Sequence, residues 1–246
     1  MSLEVRNEEP EVDLIEAEPP PEAVVRFGVP VYTSILIASC VAVSGAQIFT
    51  GLEQSISSAG FVKPLFSAGE YWRILTGAAM HGGLLHLALN SFAFYSFGQL
   101  VEVLSNRAHL AIVFLLAAIG GGLLSLAFFP EGTSVGASGG ILGLVSYLAV
   151  YAFRRRQFVS VEFRNSLLKN IGFILIFGLV LYQVIDNYGH IGGLIVGAVY
   201  GFVQIPSDPH RDPREVSPAV DIAGLVAVGI FVAAAMFSIY LILQST

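Results

Sequence analysis

Four residues could carry chemistry together: Ser138, His190, His86 and Asn90. A serine hydroxyl is a weak nucleophile until a nearby base takes its proton, and imidazole is well suited to that task. Ser138 lies in Gly136-Ala137-Ser138-Gly139-Gly140, and His190 in Gly189-His190-Ile191-Gly192-Gly193. His190, Gly193, Gly197 and Gly201 recur at i, i+3, i+7 and i+11, along one helical face. A histidine heading a glycine stripe can come very close to a neighbouring helix. If that neighbour is the Ser138 face, the imidazole reaches the hydroxyl, which is the minimum for acyl transfer. His86 and Asn90 stand at i and i+4, and both can donate hydrogen bonds to a developing oxyanion beside the Ser138 amide.

Each motif also has a plainer reading. Gly136 to Gly140 literally matches the G-x-S-x-G elbow of α/β-hydrolases, but that elbow needs alternating strands and helices, which this sequence lacks. The same five residues could be a helix-packing face without chemistry. His190 alone could be a structural hydrogen-bond donor. A metal site fits poorly, because His81 and His86 are five apart and no His-x₃-His pair exists. No metal or other cofactor is expected.

The elements that must hold these residues are apolar. Of 246 residues, 55% are hydrophobic and 12% charged, about half the usual charged share of a soluble domain. Seven runs approach the roughly 20 apolar residues that a helix needs to cross a bilayer: 29–49, 84–103, 109–129, 135–153, 168–185, 189–205 and 220–243. They contain glycines and lack strong two-residue alternation, so helices suit them better than barrel strands. A soluble bundle with so many buried helices and so few charges is the weaker alternative. The expected fold class is all-α: a polytopic membrane bundle with a six-helix core and one further C-terminal transmembrane helix.

The net charge of −6 is localised. Residues 1–27 carry eight carboxylates and two arginines, whereas the rest balances ten acids against ten bases. This pattern excludes a basic nucleic-acid binder, and the single Cys40 excludes a disulfide scaffold. Cys40 lies in an apolar run and reads as a small packing residue. Residues 1–27 read as a disordered acidic tail, not a signal peptide, because their charge has the wrong sign. With the N-terminus cytoplasmic, inner segments hold ten basic residues, and outer ones only Lys63 and Arg73. Residues 28–206 then form the six-span domain, 207–219 a polar linker that sets the last span apart, and 220–246 the seventh span. The loop 50–83 is long enough to be functional or partly structured.

These spaced motifs resemble those of rhomboid intramembrane serine proteases. The resemblance covers roughly residues 29–205 and rests on Trp72-Arg73, on His81, His86 and Asn90 as H-x₄-H-x₃-N, on Gly98 and Glu102, on Gly136-Ala137-Ser138-Gly139, and on His190 with Gly193 and Gly197. It implies Ser138 as nucleophile and His190 as base, a dyad without an acid. Asp186 then reads as a helix N-cap. His86, Asn90 and the Ser138 amide would stabilise the oxyanion. The long first loop, with Trp72 and Arg73, would lie partly in the outer leaflet and support the site, His81 would stabilise that loop, and Glu102 would tie down the loop at the inner end of the second span. Many active members carry an aromatic four residues after the serine, where this chain has Leu142, losing a ring contact of about 0.5–1.5 kcal/mol.

The resemblance implies cleavage of transmembrane-helix protein substrates within the lipid bilayer of a bacterial cell membrane, with the site opening to the outer side. No nucleic-acid partner is expected, and the oligomeric state stays open. Two rivals remain: a catalytically weak or inactive relative that binds membrane clients, and a small transporter. A transporter would need charges or broken helices at mid-membrane depth, and Glu102 and Asp221 both lie near span ends.

Overall fold

The computed structural model describes residues 28–208 and 210–245, so the acidic tail lies outside the described residues. Among the described residues ten helices follow one another: α1 (Val31–Thr50), α2 (Leu52–Ala59), α3 (Lys63–Ser67), α4 (Arg73–Ala79), α5 (Leu84–Leu104), α6 (Arg107–Phe128), α7 (Ser138–Arg154), α8 (Val161–Val180), α9 (Asn187–Gln204) and α10 (Pro218–Gln244). Five of them, α1, α5, α6, α8 and α10, are long and apolar enough to cross a membrane, and α7 is a shorter apolar helix of 17 residues. The chain is thus an all-α polytopic bundle.

Helix starts follow from local chemistry. Asn106, Ser160, Asp186 and Ser217 each accept a hydrogen bond from a first-turn amide of α6, α8, α9 and α10, satisfying donors that a helix cannot satisfy internally. The Ser160 cap starts α8 seven residues before the apolar run begins, so Arg164 and Lys169 belong to its first turns and not to a loop. At its other end α8 stops at Val180, and a turn leads to Asp186.

At the centre, α9 lies between α6 and α7 along glycine faces. A Cβ on Gly192 would fall 2.7 Å from the Gly120 carbonyl oxygen, and one on Gly193 or Gly197 would overlap the carbonyl of Gly139 or Gly143. Only backbone without side chains can approach so closely. The linker before α10 does not set that helix apart in space. Phe231 of α10 is fully buried and meets Phe114 of α6 edge-on at 5.0 Å.

The long first loop is folded. It contains α2, α3, α4 and the two-residue strand β1 (Phe61–Val62). β1 pairs antiparallel with β2 (Thr133–Ser134), matching Phe61 with Ser134 and Val62 with Thr133. This small ladder joins the first loop to the segment that leads into Ser138.

Candidate active site

Ser138 is the first residue of α7. The helix has Ala137 as N-cap with no side-chain acceptor, so the positive end of its dipole and its first amides face the site. Before it, Gly136 adopts φ +126°, a conformation that glycine reaches without strain. The Gly136 amide donates to the Gly77 carbonyl at 3.0 Å, which fastens the approach to Ser138 onto α4.

His190 enters from the first turn of α9, and its Nε2 lies 2.9 Å from Ser138 Oγ. The side chain is buried, and its Nδ1 has no hydrogen-bond partner among the described residues. No carboxylate therefore forms a third member. Asp186 instead accepts from the Gly189 amide at 2.9 Å, as a helix N-cap. The arrangement can pass a proton from a hydroxyl to an imidazole in one step.

His86 faces the same space from α5. Its Nδ1 accepts from the Gly82 amide at 3.2 Å, so the neutral ring carries its proton on Nε2. That nitrogen sits beside Gly136: a Cβ there would lie 3.0 Å from His86 Nε2 and 3.9 Å from Ser138 Oγ. Asn90 is buried one turn further along α5 and donates one amide hydrogen to the His86 carbonyl at 3.0 Å. A cleft of about 230 Å³ between α5 and α8 is lined by His86, Asn90, Ser138, Leu142, Phe177 and His190.

The supporting residues stand elsewhere. Arg73 is buried and ties the first loop together, donating to Glu70 at 2.6 Å and to the Gly60 and Ser57 carbonyls at 2.9 and 3.2 Å. Trp72 packs edge-on against Phe237 of α10 at 5.3 Å, under the Arg73 guanidinium. His81 exchanges two backbone hydrogen bonds with the Gln47 side chain and stacks edge-on against His86 at 5.1 Å. None of Trp72, Arg73 and His81 lines the cleft beside Ser138. Gly139 and Gly193 set the spacing of α7 and α9, and Gly197 continues it.

Glu102 ties down the start of α1 rather than a loop at the inner end of α5. Its Oε1 accepts from the amide and hydroxyl of Thr33, both at 2.8 Å. Pro30, the N-cap of α1, offers no side-chain acceptor, so Glu102 fills that role from the neighbouring helix. Gly98 permits the approach, because a Cβ there would lie 2.6 Å from Thr33 Oγ1.

Sequence reasoning missed the environment of Asp186. Besides Gly189, its carboxylate accepts from Ser125 and Ser134 and lies 3.9 Å from Lys63 Nζ. A lysine in an outer loop looks like a solvated charge. The only sequence cue was the apolar company of Phe61, Val62 and Leu65.

Comparison with known proteins places the chain in a family. The family described as the rhomboid domain matches residues 68–207. The chain is 33% identical over 181 residues to the rhomboid protease GluP of Bacillus subtilis, covering 71% of this chain and 35% of that protein. It is 32% identical over 143 residues to the mitochondrial RHOMBOID-like protein 6 of Arabidopsis thaliana, covering 57% and 46%. Inactive rhomboid protein 1 of Papio anubis is 30% identical over 139 residues, covering 56% and 16%. The chain thus spans about a third to a half of the length of the first two relatives. With a matched domain over more than half its length and apolar membrane-length helices within and beside it, this chain belongs to the rhomboid family of multi-pass membrane proteins.

Proposed function

We propose that the protein is an intramembrane serine endopeptidase that cleaves transmembrane segments of other membrane proteins. The observation that carries this reading is the 2.9 Å approach of His190 Nε2 to Ser138 Oγ at the open N-terminus of α7. Ser138 attacks the scissile carbonyl while His190 takes its proton. The oxyanion is held by the Ser138 amide, His86 Nε2 and the Asn90 amide. His190 returns the proton to the leaving amine, and an acyl-enzyme remains. Water, deprotonated by His190, then releases the acid product.

The substrate reaches the dyad sideways. Only 11% of the apolar stretch of α8 is buried against the bundle, and the cleft lies between this loosely held helix and α5. A locally unwound segment fits such a cleft as an extended chain. The dyad opens to the outer side of the membrane. Supporting this orientation, Arg107, Arg154, Arg155, Arg156, Arg211 and Arg214 occur at the opposite end of the bundle. The two basic residues at the dyad end, Lys63 and Arg73, are both buried.

A second reading has one observation in its favour: an inactive rhomboid protein is among the similar sequences. In that reading the cleft binds membrane clients without cutting them. Purified protein reconstituted in liposomes with single-span substrates separates the two. Cleavage that is lost in Ser138→Ala and His190→Ala, together with fluorophosphonate labelling of Ser138, supports the protease. Client binding with no labelling and no cleavage overturns it.

A further inference from the structure

We propose that the buried Lys63 and the partly buried Asp186 form a positioning pair that holds both halves of the dyad in register. This inference rests on the protease reading above and deepens it.

The argument starts from a single carboxylate. Asp186 Oδ1 accepts from the Gly189 amide, one residue before His190. Asp186 Oδ2 accepts from Ser134 Oγ, four residues before Ser138, and from Ser125 Oγ near the end of α6. The segments that deliver nucleophile and base are therefore fixed to the two oxygens of one side chain. Movement of Asp186 would shift Ser138 and His190 relative to each other.

Lys63 supplies the countercharge. Its side chain is fully buried, with Nζ 3.9 Å from Asp186 Oδ2. That nitrogen has no hydrogen-bond partner among the described residues, and it lies 4.8 Å from the centre of the Phe129 ring. The Lys63 amide donates to the Gly132 carbonyl at 3.2 Å, just before the ladder that pairs Phe61 with Ser134. The first loop thus reaches the dyad through Lys63 as well as through the Gly77 carbonyl, and not through the side chains of Trp72 or Arg73. Burial pulls the Lys63 ammonium below its ordinary pKa, against the pull of Asp186. Burial also opposes the charge on Asp186, but hydrogen bonds from Ser125, Ser134 and Gly189 and the Lys63 charge outweigh it and hold the carboxyl below its usual range. Removing Lys63 leaves the partly buried Asp186 carboxylate without its countercharge, and removing Asp186 leaves the fully buried ammonium without one, each costlier than removing both.

Neither residue touches the reacting atoms, so both are positioning residues, and the test separates geometry from binding. A fluorophosphonate probe is reacted with the full-length wild type, Lys63→Met, Asp186→Asn and the double variant in detergent, and the maximal inactivation rate is resolved from the probe's KI. Asparagine keeps the N-cap while losing the charge. Lys63→Met is expected to lower the maximal rate about tenfold or more, with KI within about twofold, and Asp186→Asn to lower it less. The double variant is expected to react faster than Lys63→Met alone, because the orphaned carboxylate is gone. That rescue also shows that loss in the single variant is not general misfolding. An unchanged rate in Lys63→Met, or losses that simply add in the double variant, overturns the pair. Wild type that never labels at Ser138 overturns the protease reading itself, a different failure.

Discussion

Gly193 sits directly against the carbonyl of Gly139, and no side chain separates the two helices there. Gly139 follows Ser138 and Gly193 lies three residues beyond His190, so this contact sets the distance at which the dyad meets. Overpacking a tight contact costs about 1–3 kcal/mol. Gly193→Ala is expected to push α9 away from α7, lower the melting temperature and abolish most fluorophosphonate labelling of Ser138. Retained labelling at the wild-type rate would refute this account of the spacing.

The oxyanion assignment predicts a different signature. Loss of one donor at such a site costs about 10²–10³ in kcat. His86→Ala and Asn90→Ala should each reduce kcat on a single-span substrate by amounts of this order while leaving KM within a few-fold. A change confined to KM would assign these side chains to substrate binding instead.

Glu102 is far from the chemistry and should affect stability alone. Its two hydrogen bonds to Thr33 join α1 to α5, and a hydrogen bond to a charged group contributes about 1.5–3 kcal/mol. Glu102→Ala is expected to lower the melting temperature, with labelling of the remaining folded protein unchanged. An unshifted melting curve would show that the α1 start is held by other contacts.

His81 predicts how stability responds to acid. Burial first, and then the neighbouring His86, push its pKa from the ordinary 6.5 down to about 3. The folded protein keeps this ring neutral, whereas the unfolded chain takes up a proton below 6.5. The stability it contributes is therefore complete above pH 6.5 and is lost as pH falls towards 3. The melting temperature should fall across that window, and less steeply in His81→Gln. An equally steep fall in the variant would place the acid sensitivity elsewhere. Asp186 loses its contribution in the same direction but only below its ordinary value of 3.8, so the two windows are largely separate.

Much of the architecture was legible from periodicity and apolar length. Long apolar runs have few options other than helices in a bilayer, and the cap at Asp186 is local chemistry. The boundaries of α8 were less legible, because a polar N-cap extends a helix beyond its apolar part. The partner of Glu102 was not legible, since nothing local shows that α1 starts with unsatisfied amides beside α5.

The sequence by itself determined the bundle, its apolar character and the identity of the residues with chemical capacity, because these depend on residue type and spacing along one chain. Tertiary structure decided which of them meet. The approach of Ser138 to His190 depends on glycine contacts between α7 and α9 that lie 54 residues apart at Gly139 and Gly193. The burial of Lys63 against Asp186 depends on a loop folding back across the bundle. A lysine's charge is visible in the sequence, but whether water or a carboxylate balances it is settled only by what packs around it.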